Sequence, residues 1–305
     1  VATIKEAFLG HRMTEESPQM LTEGTFRDVP FCSGEDGIGT LRHRVTLKPK
    51  QTLEFTVVMG QSDGGEAHAR SVMRRYRDLA QTRKELDAVK QLWRSRVVEN
   101  VLIDTPDAEL NAFVNSWLKY EVYICNLWSR SPSYFHEGSG GRGFRDSCQD
   151  ADAICLINPQ HARQTPLKLA TLIRRDGTCA PGWSDTSGPA NHRPNKDHPT
   201  WLTATVAGYI KETGDTNILK EEITYLKDKW IKGWDIDLTW NKGAVTDGSG
   251  SLLEHLERNL DFTFNDVGPH GMPRIGHADW NDALDAVGIK GKGETVWLGM
   301  ALVRS

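Results

Sequence analysis

The sequence lacks the cysteine patterns of disulfide-rich proteins and of zinc ribbons. Its 305 residues include 5 cysteines, at positions 32, 125, 148, 155 and 179, and no Cys-x-x-Cys pair occurs. An odd number of scattered cysteines is typical of reduced thiols in a cytosolic protein. The pattern therefore predicts a cytoplasmic location and argues against a disulfide framework.

The sequence also lacks long apolar runs and a strong excess of one charge. No apolar run approaches the ~18 residues of a membrane-spanning helix, no signal peptide is visible, and the net charge is −4. The basic residues between positions 70 and 96 are interrupted by acidic ones, which is typical of the solvated face of a helix rather than of a nucleic-acid surface. We therefore expect neither a membrane nor a nucleic acid as a partner.

The apolar spacing in the first part of the chain indicates β structure, and the spacing in the part after it indicates helices. Apolar residues alternate with polar ones over 41–47 and again over 53–59, with Lys48-Pro49-Lys50-Gln51 between the two runs. Two alternating runs around a proline turn predict a β-hairpin. We assign residues 1–64 to the end of a β-domain and residues 65–104, whose apolar residues have helical spacing, to a helical linker.

From residue 105 onward the sequence predicts helices joined by long loops, and no pair of strands. Thr105-Pro106-Asp107 has the cap, the N1 proline and the first-turn acid of a helix start, and Ser251-Leu252-Leu253-Glu254 is a capping box. The predicted helices extend from this start to Trp128 and then cover 146–157, 166–174, 198–213, 216–230, a segment opening at 251 that includes Leu260, and 293–303. Helices in series with functional loops indicate a toroid of paired helices, of which residues 105–305 would form just over half. Because the chain opens without Met and stops at Ser305 within an apolar helical pattern, we expect it to be part of a longer protein.

Two loops have a composition that permits more than one function. Gly138 to Asp150 is rich in glycine and contains Arg142 and Arg145, so it is either a cradle for an anion or a flexible linker. It lacks the Gly-Lys-Ser/Thr of a nucleotide-binding loop and the spacing of a dinucleotide fingerprint. Cys179 to Thr200 contains His and Asp residues, but their spacing matches no zinc template, so sugar contacts or helix capping are the better interpretation.

A third loop combines carboxylates with an indole. Glycine and proline flank the segment 276–285, in which Trp280 and Asp282 are two residues apart. An aromatic face packs on the C–H bonds of a sugar, and a partly desolvated acid can protonate a glycosidic oxygen. The alternative is an Asp-rich turn that caps the next helix. We interpret Asp282 as the acid, and Asp279 and Asp285 as structural residues.

Four motifs in these regions carry a resemblance to a known family. They are Gly143-Phe144-Arg145-Asp146-Ser147-Cys148-Gln149-Asp150, Tyr209-Ile210-Lys211-Glu212-Thr213-Gly214-Asp215, Asp279-Trp280-Asn281-Asp282 and Gly293-Glu294-Thr295-Val296-Trp297-Leu298-Gly299. In these motifs the chain resembles glycoside hydrolase family 94, the inverting disaccharide phosphorylases related to cellobiose and chitobiose phosphorylases.

The resemblance implies a mainly α fold, in which the end of a β-sandwich (1–64) and a helical linker (65–104) precede the first part of an (α/α)6 catalytic barrel (105–305). It implies phosphorolysis of a β-glucosidic bond to give an α-sugar 1-phosphate, with phosphate as co-substrate and no cofactor or metal. It implies that Asp282 is the general acid, that Trp280 lines the glycone subsite, that Asp146 binds glycone hydroxyls and that Arg142 contacts phosphate and sugar. A homodimer, and further phosphate ligands beyond Ser305, are also implied.

Two other functions fit the same residues. The first is an inverting glycoside hydrolase on the same toroid, which would need a second carboxylate to activate water. The second is a sugar-binding fragment without catalytic activity. A requirement for phosphate distinguishes the phosphorylase from the hydrolase, and turnover distinguishes both enzymes from the binding fragment.

Overall fold

The structure is a computed structural model that describes residues 2–11, 14–24, 31–60, 62, 64–128, 141–184, 188–191, 195–227, 239–240, 245–284 and 287–305. The chain forms two compact units, Val1–Leu86 and Asp87–Ser305. Within the described ranges, no helix combines the length and the apolar character needed to cross a bilayer. All five cysteines are free thiols.

The first unit contains short strands and helices. In chain order they are β1 (Ala2–Ile4), α1 (Lys5–Leu9), α2 (Gln19–Thr22), β2 (Gly37–Thr40), α3 (Gly65–Arg75) and the start of α4 (Leu79–Trp93). β1 and β2 pair antiparallel, with Ala2 opposite Thr40. The helices α3 and α4 confirm the helical spacing predicted for this part of the chain.

The hairpin predicted over 41–59 is present only as a reversal of the chain. Gln51 N donates to Lys48 O at 2.9 Å, and the rings of His43 and Phe55 face each other at 6.0 Å. No strand is assigned over 41–60, all of which is described, so the prediction of two paired strands is wrong. The apolar side chains of both runs are exposed, and Met59 is 95% exposed. A hairpin that packs on no other surface has only marginal stability in water.

The second unit is mainly helical. Its elements after α4 are the π-helical turn Arg94–Val98, α5 (Ala108–Ala112), the π-helical turn Phe113–Trp117, α6 (Leu118–Trp128), β3 (Arg142–Gly143), α7 (Phe144–Cys155), α8 (Pro159–Ala170), β4 (Gly182–Ser184), β5 (Gly188–Asn191), α9 (His198–Thr213), the 3-10 turn Thr216–Lys220, β6 (Glu222–Lys227), β7 (Thr239–Trp240), β8 (Val245–Ser251), α10 (Leu252–Asn265), the 3-10 turn Asp282–Leu284 and α11 (Val296–Arg304). The main hydrophobic core lies between α7, α8, α9 and α10 and includes Phe144, Leu169, Leu202 and Leu252, all fully buried.

Helix boundaries follow local capping chemistry. α9 spans His198–Thr213 as predicted, with proline in its first turn and Gly214 in the left-handed conformation after it, at φ 73°. α5 begins two residues later than predicted, because Asp107 rather than Thr105 is the cap and accepts from the backbone of Glu109 and Leu110. α8 begins at Pro159 after the Asn158 cap, so the prediction that this helix starts at Pro166 is wrong.

The segment after α9 corrects two predictions. Instead of a helix over 216–230, the chain forms a 3-10 turn and then β6, which pairs antiparallel with β8. β3, β4, β5 and β7 form a second, four-stranded sheet. The expectation of no strand pair after residue 105 is therefore wrong. In β6, Ile223 and Tyr225 are buried and alternate with exposed residues, which is the period of a strand rather than of a helix.

The Tyr209-to-Asp215 motif has a structural explanation. The Asp215 carboxylate accepts from Arg163 Nε at 2.9 Å and from the Tyr209 hydroxyl at 3.0 Å. Its other oxygen accepts from Asn217 N at 3.1 Å and so caps the following 3-10 turn. Arg163 also donates to Glu221. The motif therefore ties the end of α9 to α8.

Candidate active site

The Asp282 carboxylate receives hydrogen bonds from two other segments of the chain. Its Oδ2 accepts from Arg145 Nη2 at 2.7 Å, and its Oδ1 accepts from Asn195 Nδ2 at 2.6 Å. Asp282 opens the 3-10 turn Asp282–Leu284, and its side chain is 53% exposed. It is thus less buried than the sequence interpretation of this residue requires.

Arg145 connects Asp282 to the interior of the second unit. It lies in the first turn of α7, and its guanidinium also donates to Asp197 Oδ2 and to the Asp279 carbonyl, each at 3.3 Å. The Arg145 side chain is 14% exposed. Burial lowers the pKa of Arg145, but Asp197 and Asp282 outweigh this effect and raise the pKa above its ordinary value. Arg145 is therefore a fixed cation between two carboxylates.

Asp197 is the buried partner in this arrangement. It immediately precedes α9, its side chain is 0% exposed, and its Oδ2 also accepts from Trp201 Nε1 at 2.8 Å. Its Oδ1 has no hydrogen-bond partner among the described residues. A buried carboxylate is costly unless a cation compensates it, so Asp197 and Arg145 depend on each other.

The loop before Asp282 is fixed by its own polar contacts. Asp279 is buried, and its carboxylate accepts from Thr295 Oγ1 at 2.6 Å and from Asn281 N at 3.1 Å. Lys196 N donates to Ala278 O at 2.9 Å, which joins this loop to the segment that precedes α9. Asp279 thus has the structural role expected for it, whereas Asp285 lies outside the described residues.

Trp280 belongs to a row of three indoles. Its ring stacks on Trp297 with centroids 6.1 Å apart, and Trp297 lies 6.3 Å from Trp201. Trp280 is 50% exposed, so part of its surface is accessible to a ligand. Aromatic faces of this kind pack against the C–H surface of sugars.

Asp146 follows Arg145 on α7 and is partly buried. Asp146 and Asp282 are both near enough to the buried His198 for their charges to raise its pKa, although burial dominates and lowers it. Asp146 therefore lies in the same region as Asp282. Gly143 makes room for it, since a Cβ at position 143 would be 2.4 Å from Asp146 Oδ2.

Arg142 makes its described contacts elsewhere. It donates to Leu127 O at 2.5 Å, and its guanidinium lies over the Trp183 ring at 5.7 Å. It lines a cavity of about 230 Å³ together with His161 and Lys168. Among the described residues, neither Asp146 nor Asp282 lines this cavity, so the role of Arg142 in phosphate binding stays a prediction.

Residues 138–140, 185–187 and 192–194 belong to the two upstream loops, and they lie outside the described residues. Elsewhere in these loops, no group of three His, Cys, Asp or Glu side chains could hold a metal ion. Sequence reasoning missed the contribution of Asn195 and the pairing of Arg145 with Asp282. Arg145 lies inside the Gly143-to-Asp150 motif, but nothing in the sequence indicates which acid it contacts.

Comparison with known proteins covers almost the whole chain. A family model described as the catalytic domain of the glycosyl hydrolase 94 superfamily matches residues 92–305, and one described as the glycosyl hydrolase 94 supersandwich domain matches residues 1–79. The chain is 32% identical over 301 residues to solabiose phosphorylase of Paenibacillus borealis, which covers 98% of this chain and 35% of that protein.

Two further relatives differ in their described activities. The chain is 29% identical over 298 residues to the cyclic beta-(1,2)-glucan synthase NdvB of Rhizobium meliloti, covering 98% of this chain and 10% of the synthase. It is 26% identical over 315 residues to N,N'-diacetylchitobiose phosphorylase of Vibrio furnissii, covering 93% of this chain and 36% of that enzyme. The chain thus spans about a third of the length of these phosphorylases.

Proposed function

Because the chain belongs to the glycosyl hydrolase 94 superfamily, we propose that the protein is an inverting phosphorylase of β-linked disaccharides or oligosaccharides. It cleaves a β-glycosidic bond with inorganic phosphate and releases an α-sugar 1-phosphate. The observation that carries this proposal is the half-exposed Asp282 carboxylate, which is held by Arg145 and Asn195 and lies two residues along the chain from the half-exposed Trp280. The mainly helical second unit agrees with a glycosyl hydrolase 94 catalytic domain.

The proposed reaction uses one protein acid. Phosphate attacks the anomeric carbon from the face opposite the leaving sugar, while Asp282 donates a proton to the glycosidic oxygen. An inverting hydrolase needs a second carboxylate to activate water, whereas phosphate is itself a nucleophile. In this proposal Trp280 packs on the glycone, Asp146 accepts from its hydroxyls and Arg142 contacts phosphate.

The relatives support the reaction class more than any single substrate. Solabiose and N,N'-diacetylchitobiose phosphorylases have different sugars in their names, so a β-linked glucosyl disaccharide or oligosaccharide, such as cellobiose, is our own proposal for the substrate of this protein. Domain boundaries at residues 64 and 104, a homodimer and a cytoplasmic location are part of the same proposal. The five free thiols favour the cytoplasmic location.

The similarity to the cyclic glucan synthase gives a second candidate function. In that case the same site would act on a β-(1,2)-glucan chain as one part of a larger glucan-synthesising protein. The two candidates predict different acceptors, which are a short sugar for the phosphorylase and a β-(1,2)-linked glucan for the alternative.

A phosphate-dependence assay tests the proposal. The full-length protein is incubated with β-linked disaccharides with and without inorganic phosphate, and in the reverse direction with α-glucose 1-phosphate and a panel of acceptors that includes β-(1,2)-glucans. We expect α-sugar 1-phosphate to form only with phosphate, and phosphate release in the reverse direction. Equal rates of cleavage without phosphate would identify a hydrolase instead.

A further inference from the structure

The hydrogen bonds to Asp282 come from residues that are themselves immobilised. Arg145 Nη2 contacts Asp282 at 2.7 Å, while Nη1 of the same guanidinium contacts Asp197 and the Asp279 carbonyl, each at 3.3 Å. The planar guanidinium presents its donors in a fixed fork. Because two acceptors other than Asp282, namely Asp197 and the Asp279 carbonyl, hold that fork, the direction of the N–H bond towards Asp282 is set by the buried part of the unit.

Asn195 provides the second fixed contact. It is 5% exposed, and its amide donates to Asp282 Oδ1 at 2.6 Å and to the Asp279 carbonyl at 3.3 Å. Arg145 and Asn195 therefore share the Asp279 carbonyl and bind opposite oxygens of the Asp282 carboxylate. A side chain that is half exposed on a short turn would otherwise sample several rotamers.

Arg145 pairs with two carboxylates that differ in burial, because the Asp197 side chain is 0% exposed and the Asp282 side chain is 53% exposed. Asp197 already compensates the buried Arg145 cation, because the two form an ion pair in which the Asp197 side chain is 0% exposed. Protonating Asp282 leaves this buried pair balanced, so no uncompensated charge remains inside the protein. Among the described residues, the buried His198 is close enough to feel the charges of both Asp282 and Asp146.

We propose that Arg145, assisted by Asn195, positions Asp282 for proton transfer and stabilises the charge that develops on it. This inference rests on the proposed function. When the glycosidic C–O bond breaks, its electron pair stays on the leaving oxygen, the Asp282 proton moves to that oxygen, and the carboxylate left behind faces the guanidinium. Preorganised donors aimed at developing charge are the arrangement that lowers a barrier. In the reverse reaction the same carboxylate accepts the proton of the acceptor hydroxyl.

A comparison of leaving groups separates this role from a structural one. We measure kcat of Arg145→Met in the full-length protein with phosphate and each of two substrates. One substrate is a disaccharide, and the other is a 4-nitrophenyl β-glycoside of the same glycone. The phenolate of the aryl glycoside leaves without protonation. We expect kcat to fall about 10²-fold with the disaccharide, the size of effect that misplacing a reacting group by 1 Å produces. With the aryl glycoside we expect a loss of less than about threefold, since no acid is needed there.

Two related variants keep the test informative if Arg145→Met does not fold. Arg145→Lys retains the charge but cannot span Asp197 and Asp282 together, so it should show the same dependence on the leaving group. Asn195→Ala should show the same dependence on the leaving group, with a smaller loss of kcat. Arg163→Met is the matched control, because Arg163 bridges Asp215 and Glu221 and its loss should affect both substrates equally. Circular dichroism and thermal midpoints verify that each variant is folded.

A double-mutant cycle gives the second readout. In an Asp282→Asn background, adding Arg145→Met should lower kcat by a further factor of less than about three, because the effects of residues that act as a unit are not additive. Equal losses with both substrates, or full additivity with Asp282→Asn, would overturn the positioning role. Phosphate-independent cleavage by the unaltered protein would instead refute the proposed function alone, since hydrolysis also needs an acid and the leaving-group comparison keeps its meaning.

Discussion

Arg145 and Asp282 are 137 residues apart in the chain and meet through a hydrogen-bonded ion pair of 2.7 Å. The contact joins the first turn of α7 to the Trp280–Asp282 loop, and Asn195 brings in the segment before α9. A site assembled from three distant segments needs the packed core between the helices to hold it. The half-exposed Asp282 is thus held by side chains from two other segments.

Trp280 should contribute to sugar binding more than to chemistry. We expect Trp280→Ala to raise KM for the disaccharide about tenfold, because the indole would bury apolar C–H surface of the sugar and a tenfold change corresponds to only about 1.4 kcal/mol. Trp280→Phe should keep part of the affinity. Trp117→Ala, which removes another exposed indole, is the control and should leave KM unchanged. An unchanged KM in Trp280→Ala would remove this residue from the site.

Gly143 should be required for the position of Asp146. Its φ of −69° suits any residue, but an added Cβ would meet Asp146 Oδ2 at 2.4 Å. We expect Gly143→Ala to displace Asp146 and lower kcat/KM by about tenfold or more, since small misplacements of positioning groups are costly. Gly208→Ala is the matched control, because its Cβ would find only an ordinary contact at 3.8 Å. That variant should keep full activity and unfold at a slightly higher temperature.

Elements with strong local signals could be predicted from the sequence. α9 has proline in its first turn and glycine just after its end, and these residues define a helix without help from distant parts of the chain. The capping box at Ser251 likewise opens α10, where the serine hydroxyl accepts from Glu254 N. The four motifs identify the family because several short patterns occur in the right order.

Elements that depend on distant partners were harder to predict. β6 exists because it pairs with β8, with Ile223 opposite Gly250, and helical and strand periods are difficult to separate in a short apolar run. The runs over 41–59 have the correct alternation but no assigned strand. Likewise, the sequence indicates Asp282 as the acid, while only the structure shows which arginine and amide contact it.

Stability should fall as the solution becomes mildly acidic. Burial lowers the pKa of His161, His198 and His255 below the ordinary value of 6.5. The unfolded chain therefore binds protons at a higher pH than the folded chain, and the free energy of unfolding decreases as the pH drops below 6.5. Carboxylates with lowered pKa values, such as Asp215 and Glu254, stabilise the folded chain at neutral pH, and this stabilisation is lost only as the pH falls below their ordinary values of 3.8 and 4.5. Urea midpoints between about pH 8 and pH 5 measure this effect.

The histidine effect can be assigned with one variant. His255 is fully buried and stacks on Tyr225 with ring centroids 3.9 Å apart. His255→Phe preserves an aromatic ring there but cannot bind a proton, so its stability should depend less on pH over the same range. A midpoint that is constant, or that rises as the pH falls, would contradict the effect of the buried histidines.

The most direct test of the account is the turnover of Asp282→Asn with an unactivated disaccharide and phosphate. The substitution is nearly isosteric. It removes the transferable proton and the charge, and it leaves one acceptor oxygen instead of two for Arg145 and Asn195. We predict that kcat falls at least about 10²-fold, while Asp261→Asn, on the exposed side of α10, keeps full activity. A normal kcat in folded Asp282→Asn protein would contradict the central claim that this residue is the general acid.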